Sequence, residues 1–151
     1  MAKKYLSLDT FPASFVEPFV VTSIATGSYN CIAWALEDTT RFYWTGPREF
    51  FYWPSDLPRE ETVESFVQLF LQHGFEICSD TLKERGFTKI ALFTKEGFPT
   101  HAARQLTNGL WTSKLGCWED VRHTLSAISG GLYGSVALVM KKKSTIKPKQ
   151  K

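Results

Sequence analysis

The sequence THAARQLTNGLWTSKLG, which occupies residues 100–116, decides the predicted fold. Residues 101–106 and 110–115 are both strand candidates, and the Asn108-Gly109 pair between them is a strong signal of a tight hairpin turn. Just before this hairpin, residues 88–94 have the sequence TKIALFT, whose β-branched and apolar side chains favour another strand. We therefore predict an antiparallel sheet built around the hairpin.

Two further strands and three helices are predicted on either side of these elements. The strands cover residues 75–78 and 132–140. The helices are indicated by capping residues and by apolar residues at helical spacing, and they cover residues 28–36, 62–73 and 118–128. Helices followed by a mostly antiparallel sheet with one inserted helix are typical of an α+β domain, which is the fold class we predict.

Charge is distributed unevenly along the 151 residues. The last eleven residues, KKKSTIKPKQK, hold six lysines and no acid, which exceeds the formal net charge of +3, so the rest of the chain is mildly acidic. We predict a single domain over residues 1–140 and a basic, disordered tail over residues 141–151. An acidic body argues against a nucleic-acid partner, except through the lysine tail.

Several classes of protein are excluded by what the sequence lacks. It has no run of about 18 apolar residues and no secretory signal pattern, so we expect no membrane contact and a cytoplasmic location, with delivery by other machinery left open. Cys31, Cys78 and Cys117 are too few and too widely spaced for a disulfide framework, so free thiols are expected. No zinc-ligand spacing is present, so we expect no metal and no cofactor. The oligomeric state stays open.

Cys31 and His101 form the candidate catalytic pair. Cys31 would lie in the first turn of the helix over residues 28–36, where the helix dipole lowers the pKa of a thiol. His101, at the beginning of a hairpin strand, could take the proton of that thiol. A cysteine in a buried helix is more often a small apolar side chain, and a single histidine is more often structural, so each residue alone is a weak signal.

Further residues could complete such a site. An imidazole base is usually oriented by a third polar group, and Ser113 on the return strand of the hairpin is the first candidate. Asp120 or His123, from the helix predicted to follow, could take this role instead. An oxyanion could be held by the backbone N–H of the cysteine together with the side chain of Asn30 or Tyr29.

The segment over residues 42–53 carries seven aromatic side chains, which is dense for a loop. One interpretation is a satellite core beneath a long insertion. The other is a groove for a substrate or partner next to the cysteine, with Trp44, Tyr52 and Trp53 as the binding residues.

The order of these elements resembles the papain-like fold, and most closely the NlpC/P60 and CHAP group of amidases and peptidases. In that group a cysteine on a helix precedes a strand, a histidine begins the next strand, and a polar residue follows on the return strand. The resemblance implies a papain-like α+β domain with a central helix that carries Cys31 and packs on an antiparallel sheet. It also implies that Cys31 is the nucleophile, His101 the base and Ser113 the orienting residue.

The chain also resembles an uncharacterised bacterial domain family. The resemblance rests on the motifs YNCIAWA from Tyr29, THAARQL, WTSKLG, D-x-x-H from Asp120, and the closing pair Tyr133-Gly134. That family supplies no activity to carry over.

Two functions are therefore expected from the sequence. The first is a cysteine-dependent hydrolase or acyltransferase of the peptidase or amidase type, acting on a peptide or protein substrate through Cys31 and His101. The alternative is a non-catalytic binding module, or a toxin or defence effector domain, that binds a partner through residues 42–53.

Overall fold

The computed structural model describes residues 19–115 and 119–144, and it is dominated by one antiparallel sheet. The seven strands lie in the order β1-β6-β5-β4-β3-β7-β2. They are β1 (Phe19–Val21), β2 (Glu76–Cys78), β3 (Phe87–Lys95), β4 (Phe98–Gln105), β5 (Trp111–Lys114), β6 (Asp120–His123) and β7 (Ser135–Lys143). Two helices, α1 (Cys31–Ala35) and α2 (Val63–Gln72), and a 3-10 turn (Ser126–Ile128) accompany them.

The predicted papain-like α+β fold with a central cysteine-bearing helix is wrong. In the described part of the chain, α1 has five residues and α2 has ten, so neither is the central element of the domain. The helix predicted over residues 118–128 is also wrong, because Asp120–His123 pairs with β5 on one side and β1 on the other. The apolar spacing that favoured a helix there is outweighed by pairing with the preceding strand β5 and with β1, which lies about 100 residues earlier in the chain.

The shortness of α1 follows from how its ends are capped. Asn30 begins the helix, and its side-chain oxygen accepts hydrogen bonds from the N–H groups of Ala33 (3.2 Å) and Tyr43 (3.0 Å). Glu37 lies in the left-handed region with φ 62°, and the N–H of Asp38 reaches back to the carbonyl of Ala33 at 2.8 Å. These bonds end the helix after little more than one turn.

Other local predictions are confirmed. Thr62 caps α2 by accepting a hydrogen bond from the N–H of Ser65, and Gly74 follows the helix with φ 92°. The hairpin between β4 and β5 turns at Gly109, which has φ 91°, as the Asn-Gly pair predicted.

The sheet has two covered faces, which can be followed along β3. Ile90 and Leu92 lie on the face, called here the front face, that packs against α1 and α2. Ala91 and Phe93 lie on the back face, which is covered by the 3-10 turn and by Tyr133. Residues on neighbouring strands follow the same alternation, because side chains of a strand point to opposite faces in turn. Strands β3, β4 and β7 therefore contribute to two separate cores.

The predicted limit between domain and tail at residue 140 stays a prediction, and it falls within strand β7. Strand β7 continues to Lys143, which pairs with Phe87 of β3, and Lys141 forms an ion pair with Glu84 at 3.0 Å. Lysines are accommodated at this end of the strand because the backbone ladder does not depend on apolar side chains. Residues 145–151 lie outside the described residues. Among the helices described, none is long and apolar enough to cross a membrane.

Candidate functional site

Cys31 is the first residue of α1 and lies on the front face of the sheet. Its side chain is buried, with 5% exposure, in the same apolar cluster as Ala102 of β4. Burial raises the pKa of the Cys31 thiol to about 11, although nearby backbone N–H groups, first that of Ala102, act in the opposite direction. The thiol is therefore protonated at neutral pH, whereas a nucleophilic cysteine needs a lowered pKa.

His101 lies on the opposite face of the sheet from Cys31. It is adjacent to Ala102 in β4, so its side chain points to the back face, where it stacks on the ring of Tyr133 at 3.9 Å. The ring of Phe93, its cross-strand neighbour in β3, lies 5.5 Å away. The sheet therefore separates the two members of the predicted catalytic pair, and the structure does not bring them together.

His101 instead belongs to a chain of three buried side chains across β4, β5 and β6. Its Nε2 lies 2.9 Å from the Oγ of Ser113, and that Oγ lies 2.7 Å from the Nε2 of His123. All three residues have no solvent exposure. Ser113, the first candidate for the residue that orients His101, is thus in contact with it, whereas the orienting role in catalysis stays a prediction.

The hydrogen bonds that connect these three side chains with the carbonyl of Thr124 all run in the same direction, from donor to acceptor. The Nδ1 of His123 faces the carbonyl oxygen of Thr124 at 2.7 Å and must carry the proton, so its Nε2 is an acceptor. The hydroxyl of Ser113 therefore donates to His123 and accepts from the Nε2–H of His101. This leaves the Nδ1 of His101 as an unprotonated acceptor, and it has no hydrogen-bond partner among the described residues.

Both histidines are neutral at physiological pH. Burial lowers the pKa of His123 to about 4 and holds the pKa of His101 well below its ordinary value, with the charge of His123 as a second cause for His101. Tyr133 covers the ring of His101, and Gly134 lies so close to β3 that a Cβ would be 2.0 Å from the carbonyl oxygen of Thr94. The three side chains thus form a hydrogen-bonded link, called here the closed link, which is buried in the back core and covered by the Tyr133-Gly134 pair.

The predicted oxyanion residues are occupied with other contacts on the front face. The side-chain amide of Asn30 accepts from Ala33 and Tyr43 and donates to the carbonyl of Tyr43 at 2.6 Å. The hydroxyl of Tyr29 donates to Asp120 at 2.8 Å, and burial, together with that carboxylate, raises the pKa of Tyr29 to about 12. Both side chains therefore contribute to structure in this conformation.

Lys114 is a charged residue near Cys31 that the sequence did not predict to lie there. It follows Ser113 in β5, so its side chain points to the front face, where it is buried. Its ammonium group donates to the carbonyl of Thr26 and lies 5.1 Å from the centre of the Tyr29 ring. Only the register of β5 reveals it, because the sequence does not show which of two neighbouring residues faces the helix.

The aromatic segment divides into buried and exposed residues. Trp44 and Trp53 both place their rings 4.9 Å from the ring of Phe66 in α2, and the indole of Trp53 donates to the carbonyl of Pro58. These two predicted binding residues therefore anchor the segment to the core. Tyr52, with 39% exposure, and Phe50, with 74%, face outward.

The exposed part of the segment is held in place by hydrogen bonds to its backbone. The N–H of Tyr52 donates to the carbonyl of Phe42 at 2.9 Å, which closes the loop at its base. The guanidinium of Arg59 donates to two carbonyls of this loop, those of Gly46 (2.9 Å) and Phe51 (3.1 Å). Gly46 is needed there, because a Cβ would be 2.7 Å from the Phe51 ring.

A shallow cavity of about 380 Å³ opens on the outer side of this loop. Its wall includes two arginines, Arg41 and Arg48, together with Phe50 and Tyr52. The guanidinium of Arg41 lies 4.2 Å from the centre of the Tyr52 ring, which is cation–π geometry. The combination of aromatic faces and arginines on one fixed loop is typical of a surface that binds another molecule.

An antiparallel-sheet domain with a closed histidine–serine–histidine link is the class of protein that these features define. The chain belongs to the family described as a domain of unknown function, DUF7689, whose model matches residues 20–141. No curated protein and no solved structure matches it. The expected membership in an uncharacterised domain family is confirmed, whereas nothing in these comparisons supports the papain-like resemblance or a thiol protease activity.

We predict that Ser113→Ala destabilises the fold strongly. The substitution leaves the Nε2–H of His101 and the Nε2 of His123 without partners in the core, and each buried unpaired group costs about 1–3 kcal/mol. The free energy of unfolding, measured by urea denaturation, should fall by about 2–4 kcal/mol. Ser135→Ala at the exposed beginning of β7 is the matched control and should change it by less than about 0.5 kcal/mol. Equal effects of the two substitutions would contradict the link.

We also predict that the fold loses stability as the pH falls from 7 to 5. Below pH 6.5 the unfolded chain protonates His123, whereas the folded chain does so only near pH 4, so unfolding takes up a proton and becomes more favourable. For His123 alone this amounts to about 2 kcal/mol between pH 6.5 and 5, and His101 acts in the same direction. Urea denaturation at pH 7, 6 and 5 measures it, and His123→Gln should reduce the slope. An unchanged free energy across this range would refute the assignment.

Finally, Cys31 should react slowly with iodoacetamide in the folded protein. A pKa of about 11 leaves about one thiolate in ten thousand at pH 7, and burial blocks access as well. Peptide mapping by mass spectrometry should show modification of the half-buried Cys78 first, and of Cys31 only after denaturation. If Cys31 instead reacted as quickly as Cys78 in the folded protein, a reactive nucleophile would have to be considered again. Cys117 lies outside the described residues.

Proposed function

We propose that this protein is a non-catalytic binding domain that docks a peptide segment of a protein partner on the loop surface formed by Arg41, Arg48, Phe50 and Tyr52. The observation that carries the proposal is the exposure of Phe50 and Tyr52 on a loop whose other five aromatic side chains are buried or partly buried.

The composition of the surface supports a protein partner. Arginine, tyrosine and phenylalanine are enriched at protein interfaces, and the two aromatic residues combine a large contact area with few rotatable bonds. Arg41 and Arg48 outnumber the single carboxylate of Glu49 in the cavity wall, so the surface favours a segment that carries acidic side chains or a terminal carboxylate.

The fixed shape of the loop also supports binding. A flexible loop loses conformational entropy when a partner orders it, whereas a loop that is already held in place avoids most of that cost. Here Arg59 holds two carbonyls from below, and the bonds between Phe42, Trp44 and Tyr52 close the base. The outward side chains are thus presented before a partner arrives.

The hydrolase expected from the sequence has no comparable support. Its nucleophile is protonated and buried, and its base lies on the other side of the sheet. Cysteine-dependent hydrolysis, and an effector role, therefore stay predictions, and the reactivity of Cys31 is the measurement that decides the first of them.

Selection from a displayed library of random peptides tests the binding proposal. The immobilised protein should enrich a family of related peptides that carry acidic residues or use their free carboxylate. Phe50→Ala and Arg48→Ala should each weaken binding of an enriched synthetic peptide by about tenfold or more, as expected for residues that dominate an interface. Phe98→Ala removes an equally prominent exposed phenylalanine from the beginning of β4 and is the matched control.

Two results would overturn the proposal. One is the absence of any related peptides above the background of an uncoated surface. The other is an enriched peptide whose affinity is unchanged by Phe50→Ala and Arg48→Ala, because it would show that binding takes place elsewhere on the chain.

A further inference from the structure

A second and larger cavity lies at one end of the sheet, apart from the aromatic loop. It has a volume of about 550 Å³, within the range of cavities that hold small molecules. Strand β3 begins here, and the neighbouring strands β4 and β7 end here, because both run antiparallel to β3. The groups that matter are the cations Lys83, Arg104 and Lys142, the carboxylate of Glu37 and the hydroxyls of Thr88 and Ser144.

The charge of this cavity is predominantly positive. Three cationic side chains line it, against the one carboxylate of Glu37. Three separate segments of the chain supply the cations, and the antiparallel strand order brings the segments together. The sequence therefore gave no indication of the site, since no two of these residues are near neighbours in the chain.

Arg104 is the most constrained of the three cations. Its side chain is partly buried, its Nε donates to the carbonyl of Trp34 at 3.2 Å, and its guanidinium lies 5.3 Å from the centre of the Trp34 ring. Over the described residues it forms no ion pair, and its terminal amino groups donate no hydrogen bond. The carboxylates of Glu37 and Asp120 act on its charge without forming an ion pair with it, so a fork of free donors held in one position suits an anionic ligand.

The remaining groups add donors around the same space. Lys142 is held by its bond to the carbonyl of His73 (3.2 Å) and keeps further N–H groups available. The hydroxyls of Thr88 and Ser144 lie 2.9 Å apart, so one donates to the other and the second keeps a hydrogen for a ligand. Charged forks, ammonium groups and hydroxyl donors together match the oxygens of a phosphate or carboxylate.

We propose that the cavity at this end of the sheet binds a small molecule that carries a phosphate ester or several carboxylates. The common chemistry is a multiply charged oxyanion, held by the fork of Arg104 and approached by Lys83 and Lys142. The site shares no lining residue with the aromatic loop, so it is independent of the peptide-binding proposal.

Isothermal titration of the full chain in a phosphate-free buffer of low ionic strength tests this site. The probes are AMP, inorganic pyrophosphate and citrate, which separate a preference for phosphate from a preference for carboxylate. We expect saturable binding of one molecule per chain to at least one probe, weakened as sodium chloride is added. Binding of AMP and pyrophosphate alone assigns a phosphate ligand, and binding of citrate alone assigns a polycarboxylate.

Substitutions that are expected to weaken or to strengthen the affinity for the probe test whether it binds in this cavity. Lys83→Gln, at an exposed residue, should weaken the affinity about three- to tenfold, and Glu37→Gln should strengthen it about threefold by removing the one opposing charge. Arg104→Lys should weaken it about tenfold, because an ammonium group cannot replace the two-pronged contact. Near-ultraviolet circular dichroism confirms that the packing of Trp34 survives the last substitution.

Lys95→Gln, an exposed lysine at the other end of β3, is the matched control and should leave the affinity unchanged. The proposal is overturned if none of the probes binds at millimolar concentration. It is also overturned if Lys83→Gln, Glu37→Gln and Arg104→Lys all bind like the unsubstituted chain, or if Lys95→Gln weakens binding as much as Lys83→Gln, because binding would then follow net charge alone.

Discussion

Successive side chains of β4 point to opposite faces of the sheet, and this two-residue period decides what each motif residue can contact. His101 points to the back face, Ala102 to the front face beside Cys31, and Arg104 to the front face again, next to α1. A histidine and a cysteine that the linear order placed together are consequently separated by the sheet. The same alternation in β5 sends Ser113 to the back face and Lys114 to the front. In this chain the motif residues therefore contribute to two cores on opposite faces of the sheet.

The closed link of His101, Ser113 and His123 explains why such polar residues lie in the back core. Each polar group from the Nε2–H of His101 to the carbonyl of Thr124 has a hydrogen-bond partner. The cost of removing these groups from water is therefore largely compensated. A link that spans three strands also favours one register of β4, β5 and β6, because a slip of one residue would leave several buried groups unpaired. At the other end of this link, the acceptor Nδ1 of His101 has no hydrogen-bond partner among the described residues.

The two proposed binding sites do not share residues. On the aromatic loop, the buried Trp53, the partly buried Trp44 and Arg59 fix the backbone, and Phe50 and Tyr52 are presented beside two arginines. At the end of the sheet, Arg104 holds a free fork in a cavity rich in cations. The first surface suits an extended segment of a protein partner, and the second suits a small oxyanion. A domain with both properties would join recognition of a partner to the presence of a small ligand.

The sequence by itself determined the features that depend on near neighbours in the chain. The Asn108-Gly109 turn and the capped helix α2 follow from short-range turn and cap signals. Only the tertiary structure decided which face Cys31 occupies, that Asp120–His123 is a strand, and that cations from three segments meet in one cavity. These features depend on pairing between strands that are distant in the chain, and the energy of that pairing cannot be read from any local window of residues.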